Sequence, residues 1–309
     1  MKKTTTYAIA LILCFALVFA LCPLSVSAEV KEEVTPTART AAAEPASAKN
    51  YMSLYSVKNK SASAYQSGVL TYNGRKLSTS TLTINGTVYV PLRMFIEELT
   101  DMKVTYNSQS RTLYVNGYGL SLSVSDGAYV IYANDRPLFA LSPSVIMSNG
   151  KMYSPLASAA KALSLGYKEG SSSLSGSVRA LTPASSFYRE DEVYWLSRII
   201  GAESGGESLL GQLGVGSVVL NRVASPQYPA TIWGVIFDKK YGVQFSPVSN
   251  GTIYNTPGYT SVLAAKICLE GFRVSSDALF FMEPQLSTSS WIPKNREYLF
   301  SILHHDFYA

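Results

Sequence analysis

The sequence predicts a two-domain α+β chain: a small α+β domain of two hairpin-helix repeats over residues 68–182, then a mainly helical domain over residues 190–309. Three observations carry this. Short runs of alternating apolar and polar residues with Asn-Gly turns fill the first segment, as in Thr81–Val90 around Asn85 and Gly86, and that combination marks a β-hairpin. The segment also repeats itself. Asn85, Gly86, Tyr89, Pro91 and Leu92 recur as Asn149, Gly150, Tyr153, Pro155 and Leu156, each set leading into a short amphipathic stretch. Beyond residue 190 the apolar spacing changes to that of helices, over 193–202, 209–223 and 259–272.

From its start, the chain places Lys2 and Lys3 before an apolar run over residues 8–21, with Val26, Ser27 and Ala28 as small residues before a cut at Glu29. This predicts a secretory signal over residues 1–28, too short for a comfortable membrane span. A retained anchor is the alternative; lipid attachment at Cys22 is disfavoured by the bulky Leu21 before it. Removing the signal takes two lysines and no acids, so the formal charge falls from +5 to +3. A charge that mild suits contact with an anionic wall and is too weak to argue for nucleic acid. Cleavage also removes Cys14 and Cys22 and leaves Cys268 alone, so the exported chain is held by its cores and not by an intrachain disulfide. With 47% hydrophobic residues, the roughly 280 residues that remain suffice for two domains.

Residues 29–67 are rich in Ala, Ser, Thr, Pro and Lys without apolar periodicity and read as a disordered linker. Within 68–182, helices are expected over 93–99 and 157–163. Strands are expected over 103–106 and 112–115 after the first, with a Ser-rich, degraded counterpart after the second. The tyrosines of this segment are expected to be half-buried sheet residues in preference to a sugar-stacking face.

In the second domain, Trp195, Ile199 and Ala202 share one side of a helix that ends near Glu203. The next helix carries Gly211, Gly214, Gly216 and Ser217, and because glycine weakens a helix these need a packing reason: close approach of a neighbour. Cys268 sits inside the third helix among Leu263, Ala265, Ile267 and Leu269 and reads as a small buried hydrophobe. Loops over 225–230, 239–253 and 281–295 are expected to line a cleft.

Chemistry concentrates between the first two of these helices, where Glu203 and Glu207 flank Gly205 and Gly206. A buried carboxyl has a raised pKa, and a carboxylic acid still protonated near neutral pH is what general acid catalysis needs. A continuous helix would place both acids on one face and drive one pKa up by repulsion. If the glycines end the first helix, Glu207 sits near the N-terminus of the second, where the helix dipole favours its anion. The second picture is preferred, with Glu203 as the acid and Glu207 as a structural or substrate-orienting anion.

Around these residues a longer series runs in register: Gly206 and Glu207, Gly211 and Gln212, Asn221, Arg222 and Val223, Pro229, Gly234 to Ile236, then Gln244, Phe245 and Ser246. It continues through Ala278 to Phe281 and Trp291 to His305, Asp306, Phe307 and Tyr308. In this series the last third of the chain resembles the spore cortex-lytic, germination-type cell wall hydrolases. The resemblance implies a lysozyme-like, lytic-transglycosylase-like domain acting on peptidoglycan glycan strands of cell wall or spore cortex, with Glu203 catalytic and no metal or cofactor. Glu207, Asn221, Gln244, Phe245, Ser246, Phe281, Trp291 and His305 are its implied substrate-contacting or cleft-shaping residues. Residues 68–182 resemble the copper amine oxidase-like N-terminal domain, a stalk or wall-associated module on exported proteins. That segment has no His or Cys, and acids such as Asp101 and Asp135 are scattered, so copper is not expected. Secretion to the wall or to spore cortex or coat follows, with any accessory wall protein unidentified.

Rival chemistries fit the inventory poorly. A zinc amidase needs several converging ligands, and the chain's only histidines are the adjacent His304 and His305. A cysteine peptidase would need the helix-embedded Cys268, and a serine hydrolase lacks a nucleophile elbow, since Ser217 lies within a helix. A hydrolytic muramidase or amidase stays as the enzymatic alternative, and a non-catalytic wall or spore-coat binding protein as the alternative of another class.

Overall fold

A computed structural model describes residues 66–309 apart from 141–144, 169, 241 and 288. The expected signal and most of the linker lie outside the described residues. Strand β1 (Gln66–Tyr72) precedes β2 (Arg75–Ile84), β3 (Thr87–Pro91) and helix α1 (Leu92–Leu99). A meander of β4 (Lys103–Asn107), β5 (Thr112–Gly117), β6 (Leu120–Ser125), β7 (Val130–Ala133) and β8 (Arg136–Phe139) follows. Then come β9 (Ile146–Ser148), β10 (Lys151–Pro155), α2 (Leu156–Ala162), β11 (Gly166–Tyr167) and β12 (Ser173–Ser175).

The repeat is visible as a local two-fold relation. Asn85 and Gly86 turn β2 into β3 with φ of 49° and 79°, and Asn149 and Gly150 turn β9 into β10 with 48° and 70°. These are the left-handed values that Asn and Gly tolerate best. The two copies then meet: β3 pairs antiparallel with β10, with Tyr89 opposite Pro155, Val90 opposite Ser154 and Pro91 opposite Tyr153. Since Val90 and Ser154 are equivalent positions, the axis passes between them. Each of these strands ends at a proline that starts the helix, and Leu92, Phe95 and Ile96 of α1 and Leu156, Ala159 and Ala160 of α2 are buried.

The symmetry ends after the two helices. The strands after α2 join the seven-stranded sheet, ordered β11-β12-β1-β2-β3-β10-β9, whereas those after α1 open a separate five-stranded sheet, β4 to β8 in sequence order. Leu113, Val115, Leu122, Val124 and Ile131 from one face of the second sheet enter the same core as α1 and α2.

After α3 (Ala184–Phe187), the C-terminal part contains α4 (Glu190–Ser204), α5 (Leu209–Ala224), α6 (Ile232–Ile236), α7 (Ser246–Asn250), a 3-10 turn (Thr252–Tyr254) and α8 (Tyr259–Leu269). Strand β13 (Phe280–Met282), α9 (Trp291–Asn295), β14 (Tyr298–Ile302) and β15 (His305–Tyr308) complete it. Helix α5 is the centre: every residue from Leu210 to Leu220 is buried, between α4, α8 and the terminal sheet. Its glycines are there for close approach. A Cβ on Gly214 would come within 2.5 Å of the Phe307 ring, and one on Gly216 within 2.8 Å of Cys268 Sγ and 2.9 Å of Ile200 Cδ1. Cys268 is fully buried and burial pushes its thiol up to about 12, as befits a core residue and not a nucleophile.

The mainly helical expectation needs one amendment. Strands β13, β15 and β14 form an antiparallel sheet, with Phe281 opposite Phe307 and Ile302 opposite His305. Alternation there is short and interrupted by the turn at Leu303 and His304, so periodicity alone does not reveal it.

The two cores meet at a buried ionic knot. Glu270, just past α8, accepts from Arg136 Nε (2.7 Å) and Nη2 (2.8 Å), from Lys161 Nζ (2.8 Å) and from Tyr188 Oη (2.6 Å). The Arg136 and Glu270 side chains are only 5% and 4% exposed. Burial would raise the Glu270 carboxyl, but hydrogen bonds from Arg136, Lys161 and Tyr188 outweigh it and hold the group below its usual value. Beside the knot, the rings of Phe139 and Phe272 meet edge to face at 4.8 Å.

Candidate active site

The site is built at the break between α4 and α5. Glu190, Asp191 and Glu192 fill the first turn of α4, where the dipole favours anions, and Leu196, Ile199 and Ile200 anchor it in the core. The helix ends at Ser204, and Ser208 caps α5 by accepting from the Gly211 amide (3.3 Å). The two carboxylates therefore belong to different helices: Glu203 to the last turn of α4, Glu207 to the residue before the α5 cap. This is the arrangement preferred from the sequence.

Glu203 is buried enough that desolvation alone pushes its carboxyl from 4.5 up to about 7. Among the described residues no hydrogen bond or ion pair holds it. Such a group is protonated over much of the neutral range and free to give its proton away.

Glu207 is held differently. Its side chain is 7% exposed, Oε1 lies 2.7 Å from His304 Nδ1 and 3.9 Å from His305 Nδ1, and Oε2 is buried without a partner. The turn between β14 and β15 delivers His304, and β15 begins at His305. The hydrogen bond that His304 Nδ1 donates to the Glu207 carboxylate, then the charge of that carboxylate, raises the pKa of the largely exposed His304. Burial lowers that of His305, although the nearby Glu207 opposes it. Gln212 fixes the backbone here: its Nε2 donates to the Glu207 carbonyl (3.0 Å) while its Oε1 accepts from Ser261 Oγ (2.9 Å) on α8. Among the described residues no three His, Cys, Asp or Glu side chains converge as a metal site requires.

The remaining residues divide. Phe281 lies beside His305, ring centroids 5.5 Å apart, so it joins the Glu207 cluster. Phe245 is 2% exposed and packs behind Phe281 at 6.3 Å; it supports the wall and presents no face to a sugar, which corrects its expected place in a subsite. For Asn221 only direct substrate contact is corrected, and cleft shaping is not: both its amide bonds go to the backbone, to the Ser275 and Ala278 carbonyls at 2.9 Å, so it pins the approach to β13. Arg222 beside it donates to the Leu279 carbonyl (2.7 Å) and lies over the Tyr228, Phe245 and Phe280 rings. Gln244 bonds locally to the Gly242 carbonyl (3.0 Å), and Ser246 begins α7 with an exposed side chain. Trp291 is 51% exposed on α9, near Phe280 and Arg296.

His304 escapes sequence reasoning, because a histidine in a two-residue turn carries no spacing signal. Gln212 had one: an amide set in the small and apolar first half of α5.

Comparison with known proteins agrees with the motifs. Residues 206–308 match the model of the cell wall hydrolase family, and residues 71–172 that of the copper amine oxidase N-terminal domain. The first match begins three residues beyond Glu203, so the case for that acid is made by its geometry. A spore cortex-lytic enzyme of Bacillus cereus is 36% identical over 105 residues, covering 34% of this chain and 39% of that protein. The enzyme of the same description from Bacillus subtilis is 32% identical over 105 residues, 34% of this chain and 33% of that one. The chain thus spans little more than a third of the curated relatives it matches. The catalytic domain of the germination-specific lytic transglycosylase SleB from Bacillus anthracis is 34% identical, covering 40% of this chain and 98% of that domain, with a TM-score of 0.37. The chain therefore joins a segment of the copper amine oxidase N-terminal type to one of the cell wall hydrolase type, the two resemblances that its motifs carry.

Proposed function

We propose that the chain is an exported peptidoglycan-cleaving enzyme, a lytic transglycosylase that cuts the MurNAc-GlcNAc bond of cell wall or spore cortex. One observation carries the reading: Glu203 is an unpaired carboxyl that burial pushes up to about 7. As the acid, Glu203 protonates the glycosidic oxygen while the muramoyl ring takes on oxocarbenium character. As the resulting carboxylate, it takes the proton of that sugar's 6-hydroxyl, whose oxygen closes on the anomeric carbon as a 1,6-anhydro ring. The proton is returned and no water is consumed, so a second catalytic carboxylate is not needed.

In this reading Glu207, held by His304, orients substrate without transferring a proton. Phe281 and His305 form the wall beside it, and Gln244, Ser246 and Trp291 meet more distant sugars. The chain is divided into a signal (1–28), a linker (29–67), the repeat domain (68–182) and the catalytic domain (190–309). Secretion to the wall or spore cortex follows from the substrate.

Mass spectrometry of soluble fragments from purified peptidoglycan and from cortex tests the proposal. Anhydro-muramoyl ends from the parent protein, absent with Glu203→Gln, are expected. Reducing ends would make the enzyme a hydrolytic muramidase, and no fragments from a folded parent protein would overturn glycan cleavage.

A further inference from the structure

The five-stranded sheet has one face in the core and one outside it, and the outer face is not a plain solvated surface. Register places Thr105, Tyr114, Ser123 and Tyr132 directly opposite one another on β4, β5, β6 and β7, so their side chains stand in one row across the sheet. A neighbouring row is Lys103, Asn116 and Ser121. On β8 the first row ends at the buried Pro137, opposite Tyr132; the rest of the two rows holds hydroxyls, an amide, a lysine and two phenol rings, and no acidic side chain. The row continues off the sheet: Tyr132 Oη lies 3.3 Å from the hydroxyl of Tyr259, the first residue of α8 and 66% exposed.

We infer that this row is a glycan-binding track that carries a β-1,4-linked N-acetylhexosamine strand from the repeat domain onto the catalytic domain. Tyr114 and Tyr132 are two strands apart, about 10 Å, which is close to the length of a disaccharide. Rings in a β-1,4-linked strand alternate in orientation, so the same face recurs at every second sugar. Two tyrosines at that spacing offer each such face an aromatic partner, and Ser123 between them meets the intervening sugar's polar groups. A protein partner would more suitably meet aliphatic surface, and a lipid surface a denser positive charge.

The track also leads toward the acid. The loop before α8 lies on α4, where a Cβ on Gly201 would come within 3.3 Å of Pro257, two residues from Glu203. The Glu270 knot fixes α8 to the sheet and to α2, so the track keeps one geometry relative to the site. The inference rests on the proposed glycan chemistry and gives the repeat domain a part in it.

Binding is measured on the full chain carrying Glu203→Gln, so that sugar is not cut, by sedimentation with insoluble peptidoglycan and by calorimetry with chitohexaose. Adding Tyr114→Ala or Tyr259→Ala is expected to weaken both by about fivefold each, and Tyr118→Ala, exposed on the β5 to β6 turn and off the row, to leave both unchanged. Tyr114→Phe, which keeps the ring, should restore binding. Unchanged affinity in both alanine variants, with melting temperatures equal to the parent's, would overturn the track, as would absence of glycan binding by the parent. Fragment release by the protein with Glu203 intact is scored separately: its failure with ring-dependent binding retained removes the cleavage reading, and its success without ring dependence removes only the track.

Discussion

At the scale of single residues, Glu203 trades stability for chemistry. A carboxyl with an ordinary pKa near 4.5 unfolded and about 7 folded binds its proton more tightly in the native state. Below pH 4.5 it is neutral in both states and costs nothing; as pH rises toward 7 and beyond, native stability falls because the buried site must hold a charge. Glu203→Gln is therefore expected to lower cleavage by about a thousandfold and to raise stability above pH 7 by up to about 3 kcal/mol, read by denaturant melts at pH 5 and pH 8. A variant no more stable than the parent at pH 8 would count against the buried acid. The sequence marked this glutamate through its glycine-flanked position between apolar helices. It could not mark His304, whose contact with Glu207 is made by a turn 97 residues away.

At the scale of elements, the glycines of α5 are the clearest case of a sequence feature predicting packing. Four small residues on a helix with an apolar face required a close neighbour, and the structure supplies Phe307 on one side and Ile200 with Cys268 on another. Gly214→Ala would drive a methyl into the Phe307 ring and should cost about 1–3 kcal/mol, measurable as a lowered urea midpoint with an unchanged slope. The Asn-Gly hairpins were equally legible, since two left-handed residues in succession leave few other choices. Gly86→Ala at φ 79° should cost about 1 kcal/mol and leave the β3 to β10 pairing intact. The terminal sheet was not legible, because strands of three to five residues are too short for alternation to separate them from loops.

At the scale of the whole molecule, the two cores are joined by a charge no sequence pattern announces. Glu270 follows an apolar helix and looks like a surface acid, yet Arg136, Lys161 and Tyr188 from elements far away in sequence close over it. Glu270→Ala leaves Arg136 buried without its anion and should cost about 3–5 kcal/mol, splitting unfolding into two calorimetric transitions. The folded pKa is lowered, so the stabilisation is complete above the ordinary glutamate value and is lost as pH falls through the depressed one; Glu270→Gln should flatten that acid limb. A single unshifted transition in Glu270→Ala would mean that the cores are joined by other contacts.

Cleavage as proposed depends on Glu203 being a neutral acid near neutral pH, and carbon NMR of side-chain-labelled glutamate, titrated from pH 3 to 9, reads that directly. One resonance, missing in Glu203→Gln, is predicted to titrate near 7, well above the ordinary range. If the resonance lost in the variant titrates near 4.5 instead, Glu203 is charged at neutral pH, and it cannot be the acid that opens the glycan.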